Sequence, residues 1–145
     1  MKATSPRFGA FNLFVRDLHT LPDFYRRLLG FPEIESLRSP IFCALDAGGI
    51  VLGFNLDAAS ELLNLAGRRP AAAEPRALSA FHTFEVTSDG QVDSLTAAAV
   101  TLGGRVIKPA YQTYYAACQA VLADPEDNVF RLNHYVQTPR PKQCA

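Results

Sequence analysis

The chain is poor in cysteine and carries no surplus of charge. Cys43, Cys118 and Cys144 make an odd count without short spacing, which argues against a disulfide framework or a zinc knuckle. Cys43 and Cys118 sit in apolar, strand-like runs, where a thiol serves as a small hydrophobe. Basic and acidic residues balance at 14 each, so there is no electrostatic case for nucleic acid or a membrane surface as partner. No apolar run approaches a membrane span, and the N-terminus lacks the basic-then-apolar pattern of a signal peptide. A soluble cytoplasmic protein is the expectation. Nucleophile elbows are absent too: no Gly-x-Ser-x-Gly occurs, and neither Cys43 nor Cys118 has a histidine close in sequence to mark an activated thiolate. Gly103-Gly104 closes a helical stretch, whereas a phosphate loop would open one.

What is present is a chain of 145 residues, 48% of them apolar, enough for one ordinary domain or two small modules. Residues 8–16 alternate as a strand, with Phe11, Leu13 and Val15 on one face and Ala10, Asn12 and Phe14 on the other. Asp17 is placed to cap a helix whose Leu21, Phe24, Tyr25, Leu28 and Leu29 recur at helical spacing, with Pro22 in its first turn and Gly30 at its end. Three short strands are expected at about 32–37, 41–46 and 50–56, separated by Ser39-Pro40 and Ala47-Gly48-Gly49. A connector with a helical turn near 60–65 follows; loops of this length are often lids or simply mobile.

Then the pattern restarts. A strand at 80–86 places His82, Phe84 and Val86 on one face and Phe81, Thr83 and Glu85 on the other; Val92, Leu95, Ala99 and Leu102 make an amphipathic helix; strands follow at 105–110, 114–123 and 129–135. The last two are joined by a turn over Asp124 to Asn128, a composition that favours tight reversal. Strand, helix, strand, strand, strand has occurred twice, and such a repeat outweighs any single motif.

The chain resembles the vicinal oxygen chelate superfamily of glyoxalase I, extradiol dioxygenases and bleomycin-resistance proteins. The matching residues are Val15-Arg-Asp-Leu18, Phe24-Tyr25, Leu29-Gly-Phe31, then Val92-Asp-Ser-Leu95, Gly103-Gly104 and Asp124-Pro125 with Asn128. The resemblance implies an α+β fold of two βαβββ modules, about 7–57 and 80–136 with a connector about 58–79, forming a curled mixed sheet around a central cavity, often in a homodimer. It also implies four metal-ligand positions in the superfamily's enzymes. Here they fall on Ala10, Gly53, Phe81 and Arg131, none of which is an ordinary ligand, since a guanidinium stays protonated and repels a cation. The expectation is therefore no metal and no cofactor, with His82 reaching a ligand position only if the strand register slips by one.

The cavity-facing set then contains Asn12, Phe14, Asn55, Phe81, Thr83, Glu85, Arg131 and Asn133, apolar wall with a few convergent polar groups, as in a small-molecule pocket. A filled core with a polar seam would have the same composition. Glu85 and Arg131 are the catalytic candidates. They either form a mutual ion pair, as buried charges require, or leave Arg131 to clamp a ligand anion with its planar fork. The leading expectation is a metal-free protein that binds a small anionic or aromatic compound. The alternatives are a glyoxalase- or dioxygenase-like enzyme with a rearranged metal site using His82 and Glu85, and a metal-free enzyme using Glu85 as base and Arg131 as anion stabiliser. Tyr111, Tyr114 and Tyr115 fit either a stacking rim or a dimer interface.

Overall fold

The computed structural model describes residues 5–69 and 77–135. Cys144 lies outside them. The chain divides into two compact units, Met1–Glu74 and Pro75–Ala145.

In the first unit β1 (Ala10–Val15) leads into α1 (Thr20–Leu29), then β2 (Phe42–Asp46), β3 (Val51–Leu56) and a short α2 (Asp57–Leu62). Asp17 starts α1. Its Oδ1 accepts from the amides of His19 and Thr20 at 2.7 and 2.6 Å and its Oδ2 from the Thr20 hydroxyl at 2.9 Å, satisfying donors a helix start leaves open. Those amide bonds, Thr20's first, hold the Asp17 carboxyl below its ordinary pKa. Gly30 ends the helix in the left-handed region at φ 73°, its amide donating to the Arg26 carbonyl. The apolar stripe of α1 is buried, with the Tyr25 ring 6.0 Å from that of Phe54 on β3. Each such fully buried side chain contributes roughly 1.5–3 kcal/mol.

The strand expected at 32–37 is reduced to one bridge, Glu33 opposite Leu45, flanked by bonds from Ile34 N to Ala44 O and from Asp46 N to Pro32 O. Beyond it the chain winds into a 3-10 turn at Glu35–Leu37, and Glu33 closes an ion pair with Arg38 across that turn. Local bonding thus takes the backbone groups that a ladder would have used. The sheet order is β1-β3-β2, with β1 parallel and β2 antiparallel to β3.

The second unit has β4 (His82–Glu85), α3 (Asp89–Thr101), β5 (Arg105–Gln112), β6 (Ala117–Ala123) and β7 (Val129–Tyr135), in sheet order β4-β7-β6-β5. The Ser88 hydroxyl caps α3 by accepting from the Gln91 amide, and the Gln91 side chain accepts in return from the Thr87 amide and hydroxyl. The reversal between β6 and β7 is built on Asp124, 3% exposed, whose Oδ1 accepts from the amides of Glu126 and Asn128 at 3.0 Å and from the Asn128 side chain at 3.1 Å.

Both units therefore place their first strand parallel to their last, and both sheets are mixed, which is the doubled βαβββ pattern with one strand of the first unit shortened. The register repeats as well. Asn12 pairs with Gly53 and Phe14 with Asn55; Thr83 pairs with Arg131 and Glu85 with Asn133. Asn55 and Asn133 are thus equivalent positions, and so are Gly53 and Arg131.

Candidate functional site

A strand alternates its side chains, so each sheet has a helix-packed face and a second face. In the first unit the second face carries Asn12, Phe14, Gly53 and Asn55. The Asn55 amide donates to Asn12 Oδ1 at 3.1 Å and to the Leu13 carbonyl at 3.4 Å. Gly53 is needed for space: a Cβ there would collide with Asn12 Oδ1 and lie 2.9 Å from the Phe42 ring.

In the second unit the corresponding face carries Thr83, Glu85, Arg131 and Asn133. Arg131 Nε donates to the Thr83 hydroxyl at 3.1 Å, and its guanidinium carbon stands 5.2 Å from the ring centre of Phe81, just ahead of β4. Asn133, fully buried, donates from Nδ2 to Glu85 Oε1 at 2.8 Å and Oε2 at 3.1 Å. Its own Oδ1 is buried without a hydrogen-bond partner among the described residues. Glu85 and Arg131 do not pair among the described residues; each bonds the residue directly across the ladder, and those residues are neutral. The mutual ion pair is not formed, and the guanidinium keeps a net charge on a half-buried surface.

One group on this face was not singled out by sequence reasoning. Gln119 of β6, opposite Asn133, is 4% exposed; its Oε1 accepts from the Tyr115 hydroxyl at 2.8 Å and its Nε2 donates to the Tyr111 hydroxyl. The signal was an amide inside the apolar run Ala117 to Ala123. Tyr111 and Tyr115 thereby hold Gln119, whereas Tyr114 is fully exposed and meets the Tyr115 ring edge-on, 5.0 Å between centroids.

His82 lies on the opposite face. It pairs with Phe130 in a β4–β7 ladder without irregularity, stacks on the Phe130 ring at 5.8 Å and meets Phe84 edge-on at 5.2 Å. Burial pushes its pKa down to about 4. Because residues 82 and 85 alternate, His82 and Glu85 point to opposite sides of β4 and do not share a site.

The sequence profile of the Glyoxalase/Bleomycin resistance protein/Dioxygenase superfamily matches residues 7–132. The chain belongs to this superfamily. Among solved structures, it is 41% identical to a glyoxalase/bleomycin resistance protein/dioxygenase family enzyme from Burkholderia phytofirmans PsJN, over 90% of this chain and 100% of that one, with a TM-score of 0.83. A glyoxalase-related enzyme from Fulvimarina pelagi shares the fold at 21% identity, over 88% and 87% of the two chains, with a TM-score of 0.73. So does a genomically encoded fosfomycin resistance protein from Listeria monocytogenes, at 16% identity over 90% and 94%, with a TM-score of 0.66. No curated protein matches the chain in sequence. Among the described residues, no helix is long and apolar enough to cross a membrane.

The superfamily's metal enzymes set a fit test. At the carried-over positions, Ala10 and Gly53 offer no donor side chain, and the space over Gly53 is taken by Asn12 and Phe42. Phe81 offers a ring face and Arg131 a cation anchored on Thr83. Among the described residues no group of three His, Cys, Asp or Glu side chains is gathered to hold a metal ion. The residues present do not fit the superfamily's metal.

Proposed function

We propose that this chain is a metal-free small-molecule-binding member of the superfamily that takes an anionic, partly aromatic organic compound on the face bearing Arg131. The observation that carries the reading is the state of Arg131. It is held by Thr83 through Nε and by the Phe81 ring, while Glu85 is turned to Asn133. A guanidinium fixed along one edge and not neutralised presents its outer nitrogens to a carboxylate, which they can bind in bidentate fashion. Phe81, 47% exposed, supplies an aromatic surface beside it. Thr83, Glu85 and Asn133 share the face of Arg131 and complete the proposed ligand-binding set of the second unit; Asn12, Phe14 and Asn55 hold the equivalent positions in the first unit. The reading includes a homodimer, supported by the exposed Tyr114 and the half-exposed Tyr135; light scattering in solution tests it.

Calorimetric titration with benzoate, phenylphosphonate and the neutral analogue benzamide tests the anion clamp. Benzoate or phenylphosphonate binds the wild type in preference to benzamide, and Arg131→Met weakens that binding about tenfold or more, since hydrogen bonds to charged groups contribute about 1.5–3 kcal/mol. Equal binding of benzamide, or no effect of Arg131→Met, would sink it. A metal-free enzyme using Glu85 as base remains a second reading because Glu85 is exposed on the same face, two residues along the strand from the Thr83–Arg131 contact. Turnover of a bound ligand that is abolished by Glu85→Gln with binding intact would favour it.

A further inference from the structure

On the face that bears Arg131, four residues stand side by side across the whole sheet of the second unit. Glu85 of β4 lies opposite Asn133 of β7, Asn133 opposite Gln119 of β6, and Gln119 opposite Tyr111 of β5. The two amides at the centre of this row are not bonded to each other among the described residues. Asn133 gives Nδ2 to Glu85, while Gln119 engages the hydroxyls of Tyr111 and Tyr115. Asn133 Oδ1 is thereby left, in a fully buried side chain, without a donor among the described residues. Exchanging the oxygen and nitrogen of this amide gives no relief, because the oxygen would then meet a carboxylate. A buried acceptor without a donor is unfavourable, and proteins keep few of them. This one adjoins the carboxylate of Glu85, an exposed residue, so two acceptors stand together at the edge of the face.

The neighbouring rung holds the opposite charge. Arg131 leans across to Thr83 of β4, and Glu85 is held by Asn133 of β7. Both charged groups are thus tethered over the β4–β7 ladder, on rungs two residues or about 6.5 Å apart. We infer that the ligand of this face is a zwitterion: an aromatic carboxylate with an alkylammonium group para to it, the carboxylate on Arg131 and the ammonium shared by Glu85 and Asn133 Oδ1. The inference rests on the anion clamp proposed above and names the second group its ligand carries. An ammonium has three donors and no acceptor, which suits two adjacent acceptors, whereas a neutral hydroxyl brings one donor. Oδ1 is closed to solvent. Glu85 therefore gives up the longer of its two contacts with Asn133 Nδ2 and turns that oxygen to the ammonium, a movement its exposed side chain allows. Positive Arg131 and negative Glu85 on adjacent rungs also set which way round the ligand lies.

The test titrates the full chain calorimetrically with para-(aminomethyl)benzoate, its meta isomer, and para-ethylbenzoate, which has the same shape and no donor. The para ammonium compound binds about tenfold or more tighter than para-ethylbenzoate, the effect of hydrogen bonds to a charged group, and tighter than the meta isomer. Glu85→Gln, a change at an exposed position, removes most of that advantage and leaves para-ethylbenzoate binding as it was. In the NMR spectrum the side-chain carbonyl carbon of Asn133 shifts with the para ammonium compound and stays put with para-ethylbenzoate. Parity with para-ethylbenzoate or with the meta isomer, an advantage that survives Glu85→Gln, or an unmoved Asn133 resonance overturns the inference. Arg131→Met separates it from the reading it rests on. If that variant weakens para-ethylbenzoate but the ammonium gives the wild type no advantage, the clamp stands and the zwitterion fails. If the variant binds para-ethylbenzoate as well as the wild type does, the clamp fails and the zwitterion with it.

Discussion

Asn133 gives its side-chain amide to both oxygens of Glu85, at 2.8 and 3.1 Å, and in doing so separates Glu85 from Arg131. Two residues of opposite charge stand on adjacent strands of one face, yet the register sets them one rung apart: Glu85 opposite Asn133, Arg131 opposite Thr83. Each charge meets a neutral partner, which is the arrangement a ligand-accepting surface needs and a closed ion pair would remove.

Asn133→Asp should therefore be poorly tolerated. The amide donor becomes a second carboxylate against Glu85, in a side chain with no exposure, and like charges sharing a site raise a pKa. We expect a loss of about 2 kcal/mol or more at pH 7, because an unpaired buried group costs about 1–3 kcal/mol and a charged one more. The introduced carboxyl would have a folded pKa above its unfolded value, so the loss holds above the folded pKa and fades as pH falls towards the unfolded one. Urea unfolding of variant and wild type at pH 7 and pH 4 checks this; a loss that does not shrink at pH 4 contradicts it.

The equivalent rung of the first unit makes a separate prediction. Gly53→Ala would push its Cβ into Asn12 Oδ1 and to within 2.9 Å of Phe42. Asn12 is exposed and can swing away, but Asn55 then loses one of its acceptors. A destabilisation of about 1–3 kcal/mol follows from overpacking. Adding Asn12→Ala should recover part of it, a coupling that a double-mutant cycle in denaturant reads directly. Strict additivity would show that Asn12 is not what Gly53 accommodates.

Strand β7 and helix α1 could be read from their periods because each buries an apolar face, so apolar residues recur every second or every third to fourth position, whereas β6 is buried on both faces and β5 is exposed along most of its length. The segment at 32–37 could not. Pro-Glu-Ile-Glu-Ser-Leu alternates like a strand, yet it has only β2 beside it, and Glu33 with Arg38 favours a local turn. The candidate faces were readable as faces, since alternation tells which side of a strand a residue occupies. Which partner each residue chooses was not, because that depends on register between strands nearly 50 residues apart. The same limit hid Gln119 opposite Asn133, a pairing that lies across the β6–β7 ladder and not along the chain. His82 needed only its parity, and the regular β4–β7 ladder keeps that parity.

Asp124 carries the reversal between β6 and β7, accepting from two amides and the Asn128 side chain while itself nearly inaccessible. Asp124→Ala leaves those donors unanswered and should cost about 2–3 kcal/mol, the range for bonds to a charged acceptor. Asp124→Asn keeps one oxygen and should lose less. Chemical denaturation ranks the three proteins, and an Asn variant as damaged as the Ala variant would point to the charge rather than to the bonds.

His82 makes the last prediction, for the acid limb of stability. Packed against Phe84 and Phe130, its imidazole has a pKa of about 4, against an ordinary value of 6.5. The folded pKa is the lower one, so between these values the unfolded chain binds a proton that the folded chain refuses. Stability then rises with pH through this window and is fully present above 6.5. Across the window the effect amounts to about 3 kcal/mol, at 1.36 kcal/mol per unit. His82→Phe removes the titrating group while keeping a ring in the stack. Its unfolding free energy should fall less between pH 7 and pH 4.5 than the wild type's, with the two proteins differing little at pH 7.5. Parallel pH profiles for the two proteins would mean that His82 titrates in the folded state as it does in the unfolded chain, and would contradict the burial that sets its pKa.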